Sequence, residues 1–261
     1  MLVFPQLSTG ASAVYPVTKR FVTKSAVNIL GDGSRDLAAD PDAAYTGWEL
    51  RAAGLTRVEW DAIETLFQQT SGRWRSFTFL DPLGNLLAQS EALSDPVWVK
   101  GPLLEITAGV ADPFAGLRAT RVVNTGQAGA SVEQTLAAPG SFDYCLSVWA
   151  RSGAGSRVTL AIGGVSKSFA LTGQWRNIFV SVNPGQPGME TVTLGAHLDA
   201  ADSVDLFGMQ AEAQLGPSNY KATGARGGVY SNARFDTDQL TVTAQGTDVH
   251  DAVIRIVSTE S

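Results

Sequence analysis

The sequence predicts a mainly β chain with one α-helix, organised as a small β domain and a β-sandwich set inside it. Three observations lead there. Only one stretch repeats its apolar residues at helical spacing, and the rest alternates or breaks into short apolar runs between Gly, Ser, Pro and Asn clusters. Glycine is plentiful, at 27 residues, alongside many Thr and Val. The composition also shifts after Asp81-Pro82-Leu83-Gly84 and shifts back at Arg226. A length of 261 residues is enough for two ordinary domains.

Bulk properties exclude several classes of function. Hydrophobic residues at 44% and charged residues at 17% describe a folded protein. The net charge of −6 comes without a basic run, so nucleic acid is not an expected partner. No apolar run approaches the roughly 20 residues of a membrane span, and no signal-peptide pattern opens the chain. Membrane insertion is therefore not expected. The single Cys145 allows neither an internal disulfide nor a multi-cysteine metal site.

In the first 82 residues, LVFPQL reads as a short strand broken by Pro5, and VTKRFVTKSAVNIL as a second strand. Gly31-Asp32-Gly33 is a turn signal. The polar, proline-containing stretch Asp36 to Asp42 reads as a loop before the strand AYTGWELRAAGL. Thr56 and Glu59 have the spacing of a capping box. Behind them Trp60, Ile63 and Phe67, with Leu66 beside them, form one helical stripe, which Ser71-Gly72 ends. Residues 73 to 80 then alternate as a strand. Trp48 and Trp74 read as core or subunit-contact residues, because aromatics dominate buried area.

Gly72-Arg73, the aromatic strand and Asp81, preceded by a helix ending in Leu66-Phe67, resemble the distal tail proteins of siphophage-like tails and gene transfer agents. The closing segment resembles the end of the same family through ARFDTDQLTVT and AVIRIVS. Asp236 and Asp238 read there as turn-forming residues, and His250 as solvated. The resemblance implies that residues 1–82 and 226–261 form one discontinuous distal-tail-like domain. It also implies a ring, sixfold in the family, that joins the tail tube to tail-tip hub proteins. Such a protein is made in the bacterial host cytoplasm and resides in the virion.

Between them, NLLAQSEALSDPVWVK, YCLSVWAR, TGQWR and DLFGMQAEAQLGPSNYKATG resemble the carbohydrate-binding-module-like jelly rolls appended to phage tail and fibre proteins. The resemblance covers residues 83–225 and implies an outward sandwich able to bind host-surface polysaccharide. Alternation in FDYCLSVWAR places Tyr144, Leu146, Val148 and Ala150 in the core and Cys145, Ser147, Trp149 and Arg151 on the other face. An aromatic ring beside a guanidinium suits a sugar, whose C–H face stacks while its hydroxyls accept hydrogen bonds. His197, outward in TVTLGAHLDA, and Gln210, sharing a face with Glu212, complete the candidate set Trp149, Arg151, His197 and Gln210. The competing assignment is that a loop or neighbouring subunit covers this face. Trp175 is core by resemblance. Such jelly rolls often hold a structural calcium, for which Asn85, Glu91 and Asp205 are the candidate oxygen donors, against ordinary turn and capping roles.

No enzyme is expected. Two histidines leave little room for a triad, Cys145 has no obvious base, and no G-x-S-x-G, P-loop or H-E-x-x-H motif occurs. A glycosidase needs only two carboxylates, and Glu133, Glu190 and Glu212 are available, but such folds use longer chains than one jelly roll. The sequence reading is therefore a structural tail-tip protein with an adhesive jelly roll. The alternative is a free-standing carbohydrate-binding or glycan-cleaving protein.

Overall fold

A computed structural model of the chain describes residues 1–259. They divide into two compact units, one formed by Met1–Pro5, Ala13–Phe79 and the residues from Tyr230 onward, the other by Gln6–Ser12 and Leu80–Val229. The chain runs through β1 (Val17–Ile29), β2 (Arg35–Leu55), α1 (Arg57–Thr70) and β3 (Phe77–Leu80). It continues through β4 (Val99–Lys100), β5 (Leu104–Val110), β6 (Ala119–Asn124), β7 (Ala130–Leu136) and β8 (Tyr144–Arg151). Then come β9 (Arg157–Ile162), β10 (Val165–Ala170), β11 (Arg176–Val182), β12 (Val192–Leu198) and β13 (Ser203–Glu212). β14 (Val229–Phe235), β15 (Val242–Gly246) and β16 (Val249–Ser258) end it. The fold is mainly β, and α1 is the one helix among the described residues.

The first unit is built on a six-stranded sheet of order β1-β2-β16-β14-β3, with β15 also paired to β16. Thr56 caps α1 as its spacing predicts: the hydroxyl accepts from the Glu59 N–H while the Glu59 carboxylate accepts from the Thr56 N–H. Trp60, Ile63 and Leu66 are buried, and Phe67 meets the Phe235 ring edge-on at 5.0 Å between centroids. The helix ends at Ser71 in the left-handed conformation, followed by Gly72, also at positive φ. A Cβ on Gly72 would lie 2.7 Å from an Asp238 carboxylate oxygen. Asp238 also accepts from the Arg73 N–H at 3.0 Å, so Gly72-Arg73 and the Asp236–Asp238 segment meet across the sequence.

Three expectations change here. The stretch Asp36 to Asp42 is strand, not loop, because β2 continues along β1 as far as Ile29↔Arg35. The pairing slips between Val22, opposite Tyr45, and Lys24, opposite Asp40, so the intervening residues of β2 are taken up as a bulge. β3 begins only at Phe77, and Trp74 stands in the preceding turn, 74% exposed, whereas Trp48 is buried. His250 is buried in β16 rather than solvated. Among the described residues no helix is long and apolar enough to cross a membrane.

Two five-stranded sheets, β10-β9-β12-β7-β4 and β11-β8-β13-β6-β5, make the second unit. All their pairings are antiparallel. Inward residues of both sheets, among them Val132, Leu160 and Leu194 from one and Leu146, Val148 and Leu206 from the other, form a single apolar core. Alternation alone produced those faces. The residues that open and close the sandwich also meet: Tyr220 Oη lies 2.8 Å from Ser90 Oγ, and the Thr223 hydroxyl donates to the Leu87 carbonyl. Trp98 is buried, its indole N–H donating to the Gln89 carbonyl.

β13 carries a bulge between Phe207 and Gln210, with Gly208 at φ +66°. A Cβ there would lie 2.9 Å from the Tyr220 ring. Gly208→Ala therefore combines a strained backbone with a clash and should cost about 1–3 kcal/mol, read from chemical denaturation.

Candidate functional site

The candidate site lies on the outer face of the β11-β8-β13-β6-β5 sheet. With Tyr144, Leu146, Val148 and Ala150 held in the core, the pleat turns Trp149 and Arg151 outward. Register then sets their neighbours. Asp205 of β13 lies opposite Arg151 of β8 and Arg121 of β6, and Phe207 lies opposite Trp149. One row across the face is thus Arg121–Asp205–Arg151, and the next is aromatic.

In the charged row Asp205 accepts from Arg121 Nε at 2.7 Å and Nη2 at 3.1 Å, and from Arg151 Nε at 3.0 Å. Burial opposes ionisation of Asp205, but the two guanidiniums outweigh it and hold the carboxyl below its usual range. The carboxylate is buried beneath them, so the N–H groups are what solvent meets. The Arg151 guanidinium also lies 4.6 Å from the centre of the Trp175 ring, which is half-buried rather than in the core. Beside this row Arg121, Ser152, Gly153, Ala154, Ser203 and Asp205 line a cavity of about 200 Å³.

The aromatic row is completed by Phe114, whose ring is 5.6 Å from Trp149 and 5.8 Å from Phe207, both edge-on. Phe114 is 57% exposed. Its loop is wound around Asp112, whose carboxylate accepts from the N–H groups of Phe114, Gly116 and Arg118 and from Arg118 Nε. Burial pushes the Asp112 carboxyl up, yet these donors together leave it below the usual range. Arg118 in turn reaches over the Phe207 ring at 5.0 Å and pairs with Glu91. Neither the Asp112 hub nor the roles of Phe114, Phe207, Arg118 and Arg121 follow from alternation; an Asp-Pro pair favours a turn, and Asp112-Pro113 is the local signal that could have pointed to this loop.

The predicted set is only partly brought together. Trp149 and Arg151 share the face. Gln210 lies on it too, but is fully buried: its amide donates to the Ser218 and Asn219 carbonyls and accepts from the Lys221 N–H, so it anchors the covering segment instead of meeting a ligand. His197 is on β12 of the other sheet, 3.1 Å from the Ser131 hydroxyl, so it cannot join Trp149. Nearby outward residues of that sheet, Ser131, Thr135, Thr159 and Thr193, are small and polar and give no aromatic platform.

The calcium donors do not fit a cation. Asn85 is buried with its amide shared among Met209, Lys221, Leu87 and Ala211. Glu91 accepts from Arg118 and Tyr220, and Asp205 faces two guanidiniums that repel a metal. Among the described residues no three His, Cys, Asp or Glu side chains gather as a metal site. As for catalysis, burial pushes the Cys145 thiol up to about 11, which keeps it protonated. Glu212 is buried against Lys221, and Glu133 belongs to the other sheet.

No protein-family model and no curated protein matches the sequence. Solved structures that resemble it include carbohydrate-binding modules and a phage tailspike domain. The enzymatically active domain of bacteriophage CBA120 tailspike protein 4 is 13% identical at a TM-score of 0.40, over 51% of this chain and 22% of that one. The C-terminal family 22 carbohydrate-binding module of Clostridium thermocellum Xyn10B is 16% identical at 0.40, over 53% and 99%. TmCBM61, solved with β-1,4-galactotriose, is 14% identical at 0.37, over 49% and 97%. Likenesses this distant assign neither family nor ligand.

Two outcomes follow. Both aspartates are depressed, so the stability they contribute is complete above the ordinary aspartate pKa of about 3.9 and is lost as pH falls through their folded values. Asp112→Asn should melt below the wild type at pH 7, with the gap closing on acidification. Chelator should leave the melting temperature unchanged; a rise on adding calcium would reinstate the metal site.

Proposed function

We propose that the protein is a structural, non-catalytic component of a phage or phage-like tail tip, whose β-sandwich binds glycans of the host surface. The observation that carries the glycan reading is the face around Trp149. Two aromatic rings reachable from solvent, Trp149 and Phe114, lie next to guanidiniums whose positions are fixed by buried carboxylates. Stacking on the rings and donation to hydroxyls are what sugar recognition requires, and pre-set arginines reduce the ordering cost of binding. Asp205, held ionised by its two arginines, is not poised to donate a proton.

The tail-tip reading is supported by the sequence resemblance and by contact between its two halves. Gly72 and Arg73 pack on Asp238, and the Arg73 guanidinium also donates to the Asp236 carbonyl, 163 positions away. In this reading the first unit forms a ring, a hexamer by resemblance, between tail tube and tip proteins. Repetition around the ring would multiply a weak sugar contact into avidity.

Trp149→Ala should lower binding to bacterial cells and purified surface polysaccharide by about tenfold or more, with little change in melting temperature. An equal affinity in the folded variant would remove the glycan face. Electron microscopy of the concentrated protein should show closed rings. Monomers that still bind polysaccharide would favour a free-standing glycan-binding protein instead.

A further inference from the structure

The face around Trp149 carries an imbalance of hydrogen-bond donors over acceptors, which narrows the kind of sugar it suits. A sugar hydroxyl both donates and accepts, so a site for neutral glycans uses acceptors as well as donors. In the charged row beside the rings the acceptors are already taken. Asp205 Oδ1 accepts from Arg121 Nε, and Oδ2 accepts from Arg121 Nη2 and Arg151 Nε. This carboxylate is 6% exposed, against 51% for the Arg121 side chain and 26% for that of Arg151. The Asp112 carboxylate, paired with Arg118, is fully covered, and Glu91 is taken up by Arg118 and Tyr220.

The donors are not exhausted. A guanidinium has five N–H groups, and Arg121 gives only its Nε and one Nη2 hydrogen to Asp205. Arg151 gives its Nε to Asp205 and reaches the Ala111 carbonyl through Nη2 at 3.4 Å. Among the described residues, neither Nη1 group meets an acceptor. Gly153 and Ala154 line the adjoining cavity with Arg121, and their backbone N–H groups donate to no other described residue. Two guanidiniums against one carboxylate also leave this row with one positive charge. Glu105, outward and exposed on β5, stands opposite Val123, one row further from Trp149 than Arg121. Its charge turns an anion away from the sheet edge and towards the two arginines.

A carboxylate has the complementary profile: it only accepts, and guanidiniums bind it through charge-assisted hydrogen bonds. Position narrows the choice further. Arg151 follows Trp149 by two residues on β8, on the same face and about 7 Å along the strand. A uronic acid carries its carboxylate directly on a carbon of the pyranose ring. A ring stacked on Trp149 therefore brings that carboxylate to the neighbouring row. We infer that this face binds acidic polysaccharide through uronic-acid residues, the sugar ring on Trp149 and Phe114 and the carboxylate on the free N–H groups of Arg121 and Arg151. The inference rests on the glycan-binding reading above and names the chemical class of its ligand.

The test measures binding of the full chain by isothermal titration calorimetry at neutral pH. The probes are polygalacturonate, alginate, hyaluronan and purified bacterial capsular polysaccharide, each before and after carboxyl reduction. Reduction turns the uronic acid into the neutral hexose and keeps the glycosidic linkages. At least one acidic polymer should bind about tenfold or more tightly than its reduced form. Added salt should weaken the acidic form selectively. Because the comparison is made on the wild type, it does not depend on any variant folding. Arg121→Gln should bring the ratio of the two affinities close to one, and Arg121→Lys should restore part of it. Trp149→Ala should weaken both forms together and keep the ratio. Polymers that bind as well after reduction as before would overturn the inference and leave the glycan reading in place. Binding that survives reduction but is lost on removing phosphate esters would do the same. Absence of binding to every polymer, acidic or reduced, would overturn both.

Discussion

Much of the sandwich depends on the buried amide of Asn85. Its nitrogen donates to the Met209 and Lys221 carbonyls, and its oxygen accepts from Leu87 and Ala211. One side chain thereby ties the opening segment to β13 and to the segment that closes the unit. Every hydrogen-bonding valence is used, which is what makes a buried amide stabilising instead of costly. Around it the backbones run close: the Asp81 N–H donates to the Gly228 carbonyl, and the Gly228 N–H to the Asn85 carbonyl. A Cβ on Gly227 would fall 2.0 Å from the Leu86 carbonyl oxygen, so only glycine lets the two segments approach. Asn85 also places β13 at its bulge, and with it the outward row that continues to Phe207 and Asp205.

The outer face shows a division of labour between buried and exposed groups. Asp112 and Asp205 are sequestered, each compensated by several donors, and neither offers its charge to solvent. Their cost of burial is offset by charge-assisted hydrogen bonds, and the return is positional: Phe114, Arg118, Arg121 and Arg151 are held where flexible side chains would otherwise wander. Set against apolar groups of the same shape, such buried pairs add little net stability. Their value here is the fixed orientation of donors around an aromatic centre.

The first unit follows a different logic. Its core, around Trp48, Phe79 and the helix residues Trp60 and Ile63, is closed. Trp48 meets Phe79 at 5.0 Å and Tyr230 at 4.6 Å, both edge-on, joining residues from three distant parts of the chain. Yet the same unit leaves apolar side chains at the far end of β1 and β2, and Trp74, in water. Its centre is sheltered and its ends are not.

Local chemistry settled what could be read along the chain. Thr56 and Glu59 had only to be three residues apart to cap α1, and alternation had only to be counted to place Tyr144, Leu146, Val148 and Ala150 inside. What alternation cannot say is which sheet a strand joins or what lies over it. His197 is outward, as its spacing required, but on the sheet opposite Trp149; Gln210 is on the right face but beneath residues 218–221. Asp205 looked like a cation ligand until register set it between two arginines. His250, expected in solvent, is buried for the same reason, since exposure is decided by neighbours far away in sequence. The sequence by itself determined strand periodicity, the helix and its cap, and the aromatic and arginine pair at Trp149 and Arg151. Only the tertiary structure decided which polar groups are spent on each other and which face outward, because hydrogen-bond partners and coverage are long-range properties of packing.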